Sequence, residues 1–301
     1  MIRLLVTAFA GLLGLAFGSF LNLCATRWPE EENICKPRSH CRTCNRTLSW
    51  WENIPLLSWI ALRGRCRTCH ATIGWRYPIV ELSVCLLWAF RTWTIFDIAP
   101  ELNAGIISAI GWTALADCLA AMIFLWILVA LAVLDTENLW LPDRLTLPGI
   151  ALGFLLAITR ATLAVYVLGN STFSFWVHTV PADVVLYWFF GAVLGGTLLL
   201  VIRWIHLMIR GQEGLGFGDV KLMALLGGWL GIKLALLSFV LAIFIALAIA
   251  ILWSSKPPVK DKNVKWHLRK LPFGTFLCIG GIISAFWGQA IINLYLKISG
   301  L

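Results

Sequence analysis

Two sets of residues in this 301-residue chain are of the kind that does chemistry. The first is a pair of aspartates at the edges of apolar stretches. Asp135 ends a run of 17 uncharged residues, Cys118 to Leu134, and Asp219 lies in Gly216-Phe217-Gly218-Asp219 at the mouth of another apolar segment. A carboxylate near hydrocarbon is costly and asks for a reason. Two carboxylates brought together cannot both ionise cheaply, so they share one proton. The ionised member takes a proton from water, while the protonated one donates to a scissile carbonyl and steadies the oxyanion. That is aspartyl proteolysis, which needs no covalent intermediate and no catalytic metal. Gly216 and Gly218 would let backbone approach a substrate strand closely. The competing reading is that each aspartate only caps a helix at the membrane surface. Asp143, after Pro142, resembles the N-cap of a helix that starts near Leu145. Glu137 and Glu213 belong to the same layer, as attractors of a basic substrate or as solvated loop charges.

The second set is Cys41-Arg-Thr-Cys44 and Cys66-Arg-Thr-Cys69, with 21 residues between the pairs. Two CxxC turns can point four thiolates at one tetrahedral metal, which indicates a structural zinc with no open position. The spacing is slightly long for a zinc ribbon. Redox-active or free thiols are the alternative, and Cys35 is an alternative ligand. Cys24, Cys85, Cys118 and Cys278 have no partner spacing and read as small apolar residues in helices.

The elements that must position these residues are membrane helices. The chain is 60% hydrophobic and 13% charged, with a mean hydropathy of +0.85; a soluble protein of this size needs more polar surface. Uncharged runs such as Leu4–Thr26 and Val184–Ile202 approach the roughly 20 residues that cross hydrocarbon. The first run lacks the flanks of a cleaved signal and reads as a retained helix. The fold class expected is an all-α polytopic membrane protein. Its eight spans lie near 4–25, 79–97, 117–135, 144–166, 183–205, 219–233, 234–253 and 273–296. The second carries Arg91, the fourth carries Arg160 and the sixth is short; 102–116 is a candidate interfacial or re-entrant segment. The division expected is a first helix over 1–26, a four-cysteine loop over 27–78 and a transmembrane peptidase domain over 79–301. No low-complexity tract or repeat is visible.

Charge placement orients the helices. With the N-terminus outside, 19 of the 24 Lys and Arg residues fall in inside loops and five fall outside. The positive-inside rule then puts both termini in the periplasm of a bacterial host and residues 27–78 in the cytosol. The cytosol is reducing, which disfavours a disulfide framework for the loop. The same rule accounts for the net charge of +9 without nucleic acid. A proton-coupled transporter would place acids at the midplane and show inverted repeats. A thiol oxidoreductase would place the cysteines in the periplasm. A non-catalytic zinc-bearing assembly protein would tolerate loss of both aspartates.

The ordered set of motifs resembles the bacterial type IV prepilin peptidases. It runs through Gly18-Ser19-Phe20-Leu21-Asn22, Arg27, the two CxxC pairs, Leu48-Ser49-Trp50, Asn53-Ile54-Pro55-Leu56-Leu57-Ser58-Trp59, Arg63-Gly64-Arg65 and Trp75-Arg76-Tyr77-Pro78 with Glu81. It continues through Asp135, Leu141-Pro142-Asp143, Glu213 to Asp219 with Lys221, and Leu271-Pro272-Phe273-Gly274. The resemblance implies an inner-membrane enzyme that cuts the basic leader from type IV prepilins or type II secretion pseudopilins, after a glycine, at the cytoplasmic face. It implies Asp135 and Asp219 as the catalytic pair; beside them, loop charge makes Glu137, Asp143 and Glu213 substrate-binding candidates, and Gly216, Gly218 and Lys221 of the second motif are candidates with them. It also implies methylation of the new N-terminal amine with S-adenosylmethionine, with Gly64, Arg65 and Glu81 as candidates, unless the chain is a peptidase alone. No glycine signature of a Rossmann-type donor site is present. Leu215 and Thr275 depart from the methionine and proline common at those places, and Glu30, Glu31 and Glu32 make the start of the loop unusually acidic.

Overall fold

A computed structural model describes residues 1–104, 109–168, 181–211, 216–254 and 271–300. The helices are α1 (Ile2–Arg27), α2 (Leu57–Ala61), α3 (Arg76–Ile98), α4 (Ala109–Asn138), α5 (Asp143–Leu168), α6 (Pro181–Arg210), α7 (Phe217–Leu230), α8 (Ile232–Ser254) and α9 (Phe273–Ser299). Among the described residues there is no sheet, only two isolated bridges in the cysteine loop. Each of the eight expected spans has its own helix, although the sixth, 219–233, runs past the end of α7 at Leu230 and through Gly231 (φ 80°) into α8. Six of them are long and apolar enough to cross a membrane. The other two are α5, which contains Pro148, and α7, whose 14 residues extend only about 21 Å at 1.5 Å per residue. Of the candidate segment 102–116, residues 102–104 belong to a 3-10 turn, Pro100–Ala104, and 109–116 to the start of α4, while 105–108 lie outside the described residues.

The chain forms two compact units; the main division falls inside α4, between Val133 and Leu134, and the end of α5 from Tyr166 groups with the first unit. In the first unit α1 packs along α3. A Cβ on Gly14 would meet Cys85 Cα at 2.8 Å, and one on Gly18 would meet Glu81 Cα at 2.6 Å. This is small-residue packing of membrane helices, which gains contact where hydrocarbon supplies no hydrophobic force between helices. Arg91 and Asp117 are both buried, each within electrostatic reach of Cys118. Burial keeps the Arg91 guanidinium away from lipid, on the bundle side where charges in membrane helices are found.

The cysteine loop belongs to this unit and is tied to the helix ends. Arg27 donates to the carbonyls of Asn33, Ile34 and Pro37 at 2.7–2.8 Å, and Arg76 donates to Thr26 Oγ1 at 2.8 Å.

In the second unit the short α7 is the core. Leu222, Met223, Leu225 and Leu226 are fully buried in it. Helix α6 lies so close that a Cβ on Gly191 would stand 2.1 Å from Gly227 O. Trp229 Nε1 donates to Gly149 O of α5 at 3.0 Å, and α8 and α9 also pack on α7.

Candidate active site and metal centre

Asp135 sits in the last turn of α4, where the helix dipole repels a carboxylate. The chain ends α4 at Leu139 in the left-handed conformation (φ 51°) and begins α5 at Asp143. Asp135 is only 6% exposed. Its Oδ2 accepts the Thr275 N–H at 2.6 Å and the Thr275 hydroxyl at 3.0 Å. Thr275 is the third residue of α9, so the N-terminus of α9 offsets the unfavourable end of α4. Asp219 occupies the corresponding position of α7, and its Oδ2 accepts the Gly216 N–H at 3.3 Å. The two aspartates are within electrostatic reach of each other. Buried Cys278, a turn beyond Thr275 on α9, is within reach of both. Capping and catalysis are therefore not exclusive readings: each carboxylate caps a helix, and the caps hold the two in one site.

Leu141 joins the site's walls. A Cβ on Gly218 would meet Leu141 Cβ at 2.8 Å; one on Gly274 would meet Leu141 Cδ1 at 2.9 Å and Asp135 Oδ2 at 3.0 Å. Gly218 thus makes room for Leu141, a packing role where the sequence suggested approach to substrate. Asp143 pairs with Lys221. Helix α5 begins at Asp143 itself, with the N–H groups of Leu145 and Thr146 donating to Pro142 O. The side chain expected to cap α5 is therefore engaged with α7. Glu137 is exposed at the end of α4, and Glu213 lies outside the described residues. Thr275, Gly274 and Leu141 are not identifiable as site residues from their types; the signals in the sequence are the place of Leu141 and Gly274 in the resembling motifs and the departure from proline at 275.

The four cysteine sulfurs, Cys41, Cys44, Cys66 and Cys69, all lie within 4.8 Å of one another, and Cys41 Sγ and Cys69 Sγ are 3.7 Å apart. A tetrahedron with Zn–S bonds of about 2.3 Å has edges of about 3.8 Å, so the sulfurs fit zinc. Cys35 is exposed and not in the cluster.

The two knuckles repeat one construction. Cys41 N–H donates to Arg46 O at 2.9 Å and Cys66 N–H to Ala71 O at 2.8 Å. Asn45 (φ 53°) and His70 (φ 56°) are left-handed at matching places. The pattern Cys-Arg-Thr-Cys-x-x-Thr recurs at 41–47 and 66–72, a short repeat that corrects the expectation of none. Backbone N–H groups of Cys69 and Thr68 bring the Cys66 thiol down to about 6, and those of Cys44 and Thr43 lower Cys41. Glu52 accepts from Arg46 at 2.6 Å and from Ser49 N–H at 2.7 Å.

Of the three methyl-transfer candidates, Glu81 is buried and accepts the Leu56 N–H at 2.7 Å. Gly64 (φ 66°) lies against the Trp59 ring. Arg65 pairs in a bridge with Thr72 and lines a separate pocket with Ala61, Leu62 and His70.

Residues 12–95 match the bacterial peptidase A24 N-terminal domain, and residues 122–251 match the type IV leader peptidase family. A prepilin leader peptidase/N-methyltransferase of Aeromonas hydrophila is 34% identical over 95% of this chain and 92% of its own length. Proteins of the same name are 30% identical in Pseudomonas putida, over 97% and 94%, and 32% identical in Burkholderia pseudomallei, over 97% and 88%. No solved structure matches the chain.

Proposed function

Because the chain belongs to the bacterial family of prepilin leader peptidases and N-methyltransferases, we propose that it is a multi-pass inner-membrane aspartyl endopeptidase of type IV prepilins or type II secretion pseudopilins. It cuts the basic leader after a glycine at the cytoplasmic face, and then methylates the new N-terminal amine. Asp135 and Asp219 are the catalytic pair. The observation that carries this reading is their placement within mutual electrostatic reach, each docked on a helix N-terminus of one compact unit. One carboxylate deprotonates water as it attacks the scissile carbonyl, the other protonates the carbonyl oxygen, and the shared proton is restored when the amine leaves.

The excess of basic residues in one set of loops supports a cytosolic loop and periplasmic termini. A prepilin helix would lie in the bilayer while its leader remains in the cytosol. Glu137, Asp143 and Glu213 attract the leader there, with Lys221 offsetting Asp143, and Gly216 and Gly218 shape the backbone around the pair. The four cysteines hold one structural zinc. S-Adenosylmethionine supplies an electrophilic methyl group on cationic sulfur.

The test is a purified-enzyme assay on a membrane-embedded prepilin, with mass spectrometry of the mature N-terminus. Cleavage is expected to fall by at least about 1,000-fold in Asp135→Asn and in Asp219→Asn separately. Retained cleavage in either overturns the pair, and a cleaved but unmethylated product shows a peptidase alone.

A further inference from the structure

A cavity of about 360 Å³ lies under the four-cysteine loop, bounded by the C-terminal part of α1, the start of α3 and α2. All of its wall belongs to the first compact unit. Its size falls within the range of roughly 300–1,000 Å³ typical of small-molecule sites. From the proposed methyltransferase activity, on which this rests, and from the groups in the wall, we propose that this cavity is the methyl-donor site. It takes S-adenosylmethionine with the donor's cationic centre against Glu81.

Glu81 is 6% exposed, and among the described residues it has no ion-pair partner. Its carboxylate accepts the Leu56 N–H at 2.7 Å, with the Ser19 and Asn22 side chains in hydrogen-bonding reach. A buried carboxylate held only by neutral donors is costly and favours a cation. Asn22 carries the second signal. It is 1% exposed, and its Nδ2 donates to Tyr77 O at 3.0 Å. Its Oδ1 has no hydrogen-bond partner among the described residues. An orphaned buried acceptor costs about 1–3 kcal/mol, and the donor's ammonium and the polarised C–H groups beside its sulfur are the donors such an oxygen would take. Trp59 supplies a fixed aromatic wall for adenine. Its Nε1 donates to Ile73 O at 3.1 Å, and Gly64 makes room beneath its ring.

A merely structural Glu81 would serve only to hold Leu56, which is left-handed (φ 57°). Glu81→Gln keeps an acceptor for that N–H and removes the charge, so it separates the two roles. Binding to the full-length protein in detergent is measured with two stable probes. Sinefungin carries an ammonium in place of the sulfonium, and S-adenosylhomocysteine carries a neutral thioether there. Wild type is expected to bind both. Glu81→Gln is expected to weaken sinefungin at least about 10-fold and S-adenosylhomocysteine far less. Ser58→Trp, which fills the cavity, is expected to weaken both. Zinc content and prepilin cleavage, whose carboxylates belong to the other compact unit, report folding. Should Ser58→Trp lose zinc, Glu81→Gln still decides.

Wild-type affinities for both probes in both folded variants would overturn the site. If wild-type protein still methylates its product, the proposed function survives that result. A wild type that neither methylates nor binds the probes overturns both. Displacement of sinefungin by a basic leader peptide would assign the cavity to substrate and overturn the proposal.

Discussion

Thr275 donates twice to one oxygen of Asp135, from its backbone and from its hydroxyl. The carboxylate is thereby fixed in both position and rotation. A hydrogen bond to a charged group contributes about 1.5–3 kcal/mol. Thr275→Val keeps the N–H and loses the hydroxyl, so kcat for prepilin cleavage is expected to fall roughly 10- to 100-fold with KM little changed. Thr275→Ser should stay near wild type, and equal rates in the two variants would remove the hydroxyl's role. Gly274→Ala tests the same contact from the other side. Its Cβ would stand 3.0 Å from Asp135 Oδ2 and 2.9 Å from Leu141 Cδ1, and both must shift. Small misplacements of catalytic groups cost on the order of 100-fold in rate. Cleavage kinetics should show that loss while zinc content stays at wild type.

The cysteine loop shows how a short element is held without a large core. Each knuckle contributes two thiols and one left-handed residue, and the proposed zinc would close them together. Chelation of the zinc, or Cys41→Ser, is expected to expose residues 27–78 to limited proteolysis, because binding energy there is folding energy. An unchanged digest after metal removal would contradict a structural metal. The Arg46 guanidinium beside Glu52 holds that carboxyl below its usual range. A depressed value contributes stability above the unfolded pKa of about 4.3, and that stability is lost as pH falls through the folded value. Glu52→Gln should therefore speed amide hydrogen exchange in residues 46–53 at pH 7, and the difference from wild type should shrink below about pH 4. Helix α7 shows the other strategy. It is short, and it is held through Gly191, Gly227 and Trp229 by the helices around it.

At the scale of the molecule, six described helices are long and apolar enough to cross a membrane, and the sidedness proposed for them rests on the distribution of basic loops. Exposed Cys35 offers a direct test, since it lies in the loop and outside the metal cluster. In intact cells a membrane-impermeant maleimide should leave it unmodified. After permeabilisation, labelling should appear and should be lost in Cys35→Ala. Labelling of Cys35 in intact cells would reverse the proposed orientation.

That the chain spans a membrane, roughly where its helices lie and which four sulfurs form a cluster are legible in the amino-acid order alone, because hydrocarbon thickness and tetrahedral coordination act through local run length and spacing. That order also singles out Asp135 and Asp219, through their cost near hydrocarbon. Only the tertiary structure showed what holds them. Thr275 is 140 residues from Asp135, and a helix N-terminus becomes a partner for a carboxylate only after folding brings it there. The same reason hid Leu141 between Gly218 and Gly274, and the cavity behind Asn22 and Glu81. Asp135 reads as a helix-end residue from its neighbours in sequence; its neighbours in space are the N-terminus of α9 and a second carboxylate, Asp219.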